Sequence, residues 1–233
     1  MSKALVVPAL KRHTATVIVA HGLGDSGVGW VWLAENWRMR NKFEEVSFIF
    51  PSAPNIPITL NMGMRMPGWY DIASLDELKR AEDETGINRS RAYFHELINA
   101  EIKKGIPSNR IVLGGFSQGG AMSLLSGLTS PHKLGGIFGL SCYLLLKDKA
   151  QAMIADANNA NKETKIFIGH GDEDQVVKHA AGKTSAEVLK QWGYDVDFRT
   201  YAGLVHSADP EEIDDLESYL NDRIPPLGAS GSL

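Results

Sequence analysis

Five residues, Gly115-Phe116-Ser117-Gln118-Gly119, set a serine midway between two glycines. They follow the apolar run Ile111–Leu113 and lead into the helix-forming stretch AMSLLSGLTS. A serine on so tight a strand-to-helix turn stands clear of the backbone at the carboxyl end of a sheet, and helix N–H groups point at the same spot. The G-x-S-x-G spacing is common alone; strand, turn and helix together make it a candidate nucleophile. Ser123 and Ser126 fall inside the predicted helix and read as packing or surface residues.

A serine hydroxyl needs a base. Among the histidines after Ser117, His132 sits at a helix exit and His179 in an amphipathic helix, so both read as surface groups. His206 lies in YAGLVHSADP, after the last predicted strand and before the last helix, at the same sheet edge as Ser117. It is the candidate base. An acid that orients the imidazole should follow the strand in TKIFIGHGDEDQVV, where Asp172, Glu173 and Asp174 compete and spacing alone does not choose. His170, Asp172 and Asp174 are also metal-ligand types, but no further ligand cluster accompanies them, and no metal or cofactor is expected.

Near the start, VIVAHGLGDSG contains Gly22, Gly24 and Gly27 in the G-x-G-x-x-G spacing of dinucleotide-binding loops. A ribose-binding acid should then close a second strand. Glu44 and Glu45 precede the strand VSFIF instead, so the spacing fits and the location does not. The same backbone freedom serves acyl transfer better. A glycine loop after an early strand can bring one N–H beside the nucleophile, and the residue after the serine supplies another. Leu23 and Gln118 are the expected donors, with His21 and Asp25 bracing the loop.

These groups need a scaffold. Strands are predicted at Val17–Ala20, Val46–Phe50, Ile111–Leu113, Gly136–Leu140, Lys165–Ile168 and Val196–Tyr201. Helical patterns alternate with them: GWVWLAENWRMR, residues 87–105, AMSLLSGLTS, residues 179–192 and DPEEIDDLESYLNDR. Asp209 is a candidate cap of the last helix, with Pro210 in its first turn. Alternating apolar strands and amphipathic helices predict an α/β fold with a mostly parallel sheet covered on both faces. A single domain is expected over residues 1–224, with a flexible tail from 225 to 233. Pro51 to Gly86 is a long excursion off the sheet, of the kind that often carries function. Its Leu60, Met62, Met64, Met66 and Trp69 are candidates for contacting an apolar ligand, and the two-residue spacing also fits a short extended segment with one buried face.

Hydrophobic residues make up 43% of the 233, enough for a substantial core, and the net charge of −4 lacks the basic excess of nucleic-acid binders. The one cysteine, Cys142, can form neither an internal disulfide nor a multi-cysteine zinc site; it reads as a buried hydrophobe in a protein of a reducing compartment. No apolar run reaches the roughly 20 residues that span a bilayer, and the N-terminus lacks a signal-peptide pattern. The expectation is a cytoplasmic protein, with nuclear residence also compatible, in peripheral membrane contact at most.

HGLGDSG, PSAPNIPITLNMGMRMPGWYDI, EDETGI, GIPSNRIVLGGFSQGGAMS, LSCYL, GHGDEDQVV and YAGLVHS together resemble the acyl-protein thioesterases and their relatives among small carboxylesterases and lysophospholipases. The similarity runs from about Val17 to Ile224. It implies an α/β-hydrolase fold with no large separate lid domain, and removal of palmitoyl and similar chains from cysteine thioesters of proteins, G-protein α subunits and small GTPases among them. Cleavage of lysophospholipids or simple esters is the alternative, and a silent hydrolase fold that binds lipids or proteins is the reading from another class. The resemblance puts the nucleophile on Ser117, the base on His206 and the acid on Asp174, with Leu23 and Gln118 as oxyanion donors. Three places depart from the family pattern: Gln175 stands where proline is usual, SCYLLL replaces SCWLP through Tyr143 and Leu145, and Ala202 replaces a polar residue. Tyr143 is therefore a further candidate for shaping the acyl site.

Overall fold

The structure is a computed structural model and describes residues 4–75 and 82–228. Seven strands form one sheet in the order β1-β3-β2-β6-β7-β8-β9. They are β1 (Leu5–Val7), β2 (Ala15–Ala20), β3 (Val46–Phe50), β6 (Ile111–Phe116), β7 (Gly136–Leu140), β8 (Ile166–Gly171) and β9 (Val196–Tyr201). All neighbours run parallel except β1, which pairs antiparallel with β3 along the edge. β4 (Asn55–Ile58) and β5 (Met64–Pro67) make a separate antiparallel hairpin within the excursion.

Alternation along the strands splits the core in two. Ile18, Leu113, Ile137 and Ile168 point to one face, where α2 (Glu84–Lys103), α3 (Gln118–Leu128), α4 (Lys147–Asp156) and α5 (His179–Gln191) pack. Val17, Val112, Phe138 and Phe167 point to the other, under α1 (Val31–Met39) and α6 (Pro210–Arg223). Central strands buried on both faces read as continuous apolar runs, which is why β2, β3 and β7 are plain in the sequence. Trp37, Phe48, Phe94 and Phe138 are among the largest side chains fully withdrawn from water. Each full burial of this kind contributes roughly 1.5–3 kcal/mol from its apolar surface.

β6 and β8 run three residues past their predicted ends, through Gly114–Phe116 and Gly169–Gly171. Glycine has low strand propensity, yet a Cβ on Gly114 would stand 2.1 Å from the Phe138 ring, so packing demands it there. These extensions carry the chain to the sheet edge where the candidate residues gather. Asp209 caps α6 through the Glu212 N–H at 2.9 Å, as expected, and Pro210 occupies its first position.

The first residues of the expected tail make hydrogen bonds to the body of the fold. Pro225 O accepts from Arg110, while the Leu227 and Gly228 N–H groups donate to the Glu45 carboxylate at 2.9 and 2.8 Å. Residues 225–228 are thus tied to the body of the fold; 229–233 lie outside the described residues. No helix among the described residues is long and apolar enough to cross a membrane.

Candidate active site

Ser117 sits between β6 and α3 with φ 53 and ψ −121, backbone angles outside the usual region for an L-residue. Its N–H is held by Leu140 O at 2.8 Å and its carbonyl accepts from Ala121. The constraint raises its Oγ toward the histidine: His206 Nε2 lies 2.9 Å away. On the other side of the ring, His206 Nδ1 lies 2.7 Å from Asp174 Oδ2. Phe116 packs against the His206 ring with centroids 4.8 Å apart and limits its sideways motion.

Of the three competing carboxylates, Asp174 alone turns inward. Its Oδ1 accepts from the Val176 and Val177 N–H groups, both at 2.9 Å. Burial disfavours its charge, but the His170 and His206 N–H groups beside it and the Val177 N–H outweigh that, so the carboxyl is held well below the usual carboxylate range. Asp172 instead braces the turn after β9 by accepting from Gly203 N at 2.7 Å, and Glu173 is exposed. His132 bonds Asn99 Oδ1 and His179 bonds Thr200 Oγ1, away from the serine.

The glycine loop belongs to this site. A Cβ on Gly22 would come within 3.3 Å of Ser117 Cβ, so the loop runs alongside the nucleophile. Gly24 has φ 81 and donates its N–H to Pro67 O, and Gly27 approaches Phe50 O so closely that a Cβ would be 2.3 Å away. Backbone conformation and packing thus account for the spacing that resembled a nucleotide loop. His21 braces the loop: Nε2 accepts from Ala53 N at 3.0 Å, Nδ1 donates to Gly22 O at 2.6 Å, and burial lowers its pKa. Leu23 and Gln118 both line the groove at Ser117, and among the described residues no hydrogen bond occupies either backbone N–H.

That groove encloses about 260 Å³ and is walled by apolar side chains, among them Leu60, Ile72, Tyr143, Val176 and Val177. Only part of the predicted acyl-contacting set is there. Leu60 and Tyr143 line it, and the Tyr143 hydroxyl is hydrogen-bonded to that of Tyr70 at 2.8 Å. Met62 is 95% exposed in a left-handed turn and Met64 is exposed beside it. Met66 accepts from Asn61 Nδ2 through its sulfur. Trp69 is fully buried, with its indole N–H on His21 O and its ring edge-on to Phe94. The two-residue spacing suggested one shared face, but the hairpin turn falls between Leu60 and Met64 and breaks it.

One residue does more than the sequence suggested. The Gln118 side chain accepts from Trp69 N and donates to Tyr70 O, both at 2.7 Å. It ties the excursion to the start of α3, directly behind the nucleophile. A buried Gln at a helix start next to a long loop was the available signal. Cys142 is fully buried, and burial pushes its thiol far above the ordinary range, so it is no nucleophile.

A hydroxyl, an imidazole and a carboxylate in line, beside two open N–H groups, can take up an acyl group and release it to water. Residues 1–224 match the model of a family described as phospholipase/carboxylesterase. The chain belongs to the phospholipase/carboxylesterase family. Family relatives include a protein of Emericella nidulans named acyl-protein thioesterase 1, 58% identical with 100% of both chains covered. A Gibberella zeae protein of the same name is 57% identical over 95% of this chain and 96% of its own. Among solved structures, acyl-protein thioesterase 2 of Zea mays superposes with TM-score 0.86 at 29% identity, over 96% of this chain and 100% of that one. SOBER1 of Arabidopsis thaliana gives 0.82 at 31%, over 90% and 99%. The α/β-hydrolase fold and serine-hydrolase class expected of this family member are thereby shown, and nothing in these matches adds a separate lid domain.

Proposed function

We propose that this protein hydrolyses the thioester that joins a long acyl chain to a cysteine of another protein. The observation that carries the reading is the relay from Ser117 Oγ through His206 to Asp174, at 2.9 and 2.7 Å, opening on an apolar groove. The names of the relatives support the substrate: S-acylated proteins as a class, with G-protein α subunits and small GTPases the members the resemblance favours.

In the first half-reaction His206 Nε2 takes the Ser117 proton as Oγ bonds to the acyl carbon. Negative charge builds on the acyl oxygen, within reach of the Leu23 and Gln118 N–H groups, where fixed donors lower the barrier most. The C–S bond breaks and the His206 proton goes to the leaving thiolate. In the second half-reaction His206 removes a proton from water, the hydroxide oxygen bonds to the acyl carbon, and the C–Oγ bond breaks with return of the proton to Ser117. Asp174 stabilises the imidazolium in both.

The family description favours a second reading, in which the same groups cleave an oxygen ester such as a lysophospholipid. A palmitoylated peptide thioester and lysophosphatidylcholine, offered separately to wild type and Ser117→Ala, divide the two. The proposal expects thioester turnover that Ser117→Ala abolishes. Cleavage of the lysolipid alone overturns the substrate, and full turnover by Ser117→Ala overturns the mechanism. Absence of sustained p-nitrophenyl ester hydrolysis would point to a silent binder.

A further inference from the structure

Asp174 has two histidines against it, and only one faces the serine. His170, on β8, is completely buried. Its Nε2 lies 2.8 Å from Val177 O and 3.4 Å from Asp174 Oδ2, the same oxygen that holds His206. Because a carbonyl can only accept, the proton sits on Nε2. Val177 closes a ring of contacts: its N–H donates to Asp174 Oδ1 while its carbonyl accepts from His170. The His170 ring fits because α5 offers no side chain there. A Cβ on Gly182 would stand 2.2 Å from His170 Nδ1, and that nitrogen has no hydrogen-bond partner among the described residues.

We propose that His170 is a positioning residue for Asp174. It fixes the loop whose two amides aim the carboxylate, and its Nε2 edge stands 3.4 Å behind Oδ2, so that His206 meets an acid of set direction. The inference rests on the Ser117–His206–Asp174 reading of the site. The titratable groups facing His170 are Asp174 from the loop after β8 and His179 from α5, whose ring is 5.7 Å away and edge-on. Asp172 and Lys183 act on His179 in turn. The His170 N–H edge beside Oδ2 favours the charged form of the Asp174 carboxyl, so its loss raises the acid's proton affinity and strengthens its pull on the His206 proton.

The test uses the full chain with a soluble p-nitrophenyl ester, and follows kcat, KM, the pH profile of kcat/KM and thermal melting. His170→Phe keeps a ring and removes the donor. Its kcat should fall by up to about 10²-fold, the scale of a small misplacement, with KM little changed. The acidic limb of its kcat/KM profile should move to higher pH by up to about one unit, the scale of one hydrogen bond. His170→Gln, which retains an N–H donor, should restore most of both. Gly182→Ala pushes the ring without touching the acid; it should shift the same two quantities in the same direction, and add nothing further in a His170→Phe background. If His170→Phe does not fold, Gly182→Ala carries the test alone. Wild-type kcat and pH profile in either folded variant overturn the proposal. So does a His170→Phe defect that leaves the pH profile in place and that Gln does not rescue. Ser117→Ala is the control: if it stays active, the reading of the site fails, whereas an inactive Ser117→Ala beside an unaffected His170→Phe refutes only the role of His170.

Discussion

Glu212 offers a sharp test of the packing behind the active site. It lies in the first turn of α6, six residues after His206, and is fully buried with neither carboxyl oxygen hydrogen-bonded among the described residues. A Cβ on Gly169 would be 2.4 Å from its Oε1, so the group is pressed against the β8 backbone. Burial first, and the neighbouring Asp209 charge second, push its pKa up to about 8 from an ordinary 4.5. The folded protein therefore keeps a proton that the unfolded chain releases between those values. Wherever the folded state binds more protons, stability falls as pH rises. The gap of roughly 3.5, at about 1.4 kcal/mol per pH unit, sets a ceiling of roughly 5 kcal/mol on the loss. Glu212→Gln mimics the protonated form at every pH and costs only a pH-independent amount. Urea unfolding of both proteins from pH 4.5 to 9 should show the wild type losing several kcal/mol relative to the variant across this window, then running parallel above it. Parallel curves throughout would refute the claim that this carboxyl is buried neutral. Because α6 begins just after the His206 loop, activity above pH 8 should also decline reversibly in wild type and less in Glu212→Gln.

Asp174→Asn should leave the fold intact and lower ester turnover by about 10⁴-fold, since an amide cannot hold the imidazole in the required tautomer. Gly119→Ala should destabilise by about 3 kcal/mol or more in denaturant, or prevent folding, because its methyl would stand 2.3 Å from Ala20 O, a backbone atom with no room to move. Gln118→Ala leaves the backbone N–H beside Ser117 and removes the tether on Trp69 and Tyr70; limited proteolysis should cut the excursion sooner, with a loss of kcat smaller than that of Ser117→Ala. The double change Met62→Ser, Met64→Ser should move stability by less than about 0.5 kcal/mol and leave kcat/KM on a short soluble ester unchanged, as expected of side chains outside the groove.

What the sequence disclosed follows physical lines. Both-face burial wrote β2, β3 and β7 as apolar runs, and the Asp209–Pro210 pair marked the start of α6. Other elements carried weaker signals. β1 is three residues at an edge and half exposed; β4 contains Pro57; α4 buries only Ala150 and Ile154. The chemistry behaved likewise. Ser117 and His206 stood out because each follows a strand; spacing left Asp172, Glu173 and Asp174 open and the family resemblance chose Asp174, and the loop geometry gives the reason, since Asp174 turns inward and Asp172 does not. The surroundings of His170, read in sequence only as a metal-ligand type, and of Glu212 were not legible for a related reason: each fits where a side chain is absent beside it, at Gly182 or at Gly169. The methionine stripe misled because alternation holds only while a strand continues, and Met62 sits in a turn.

The groups that meet at the groove are delivered by the ends of separate parallel strands: Leu23 after β2, Ser117 after β6, Asp174 after β8 and His206 after β9. They therefore converge only when the whole central array has come together, since Asp174 and His206 follow the outermost strands of that side. Turnover of a coloured ester is thus a gauge of completed assembly: a refolding mixture gains activity in proportion to finished molecules, and half-built intermediates stay dark.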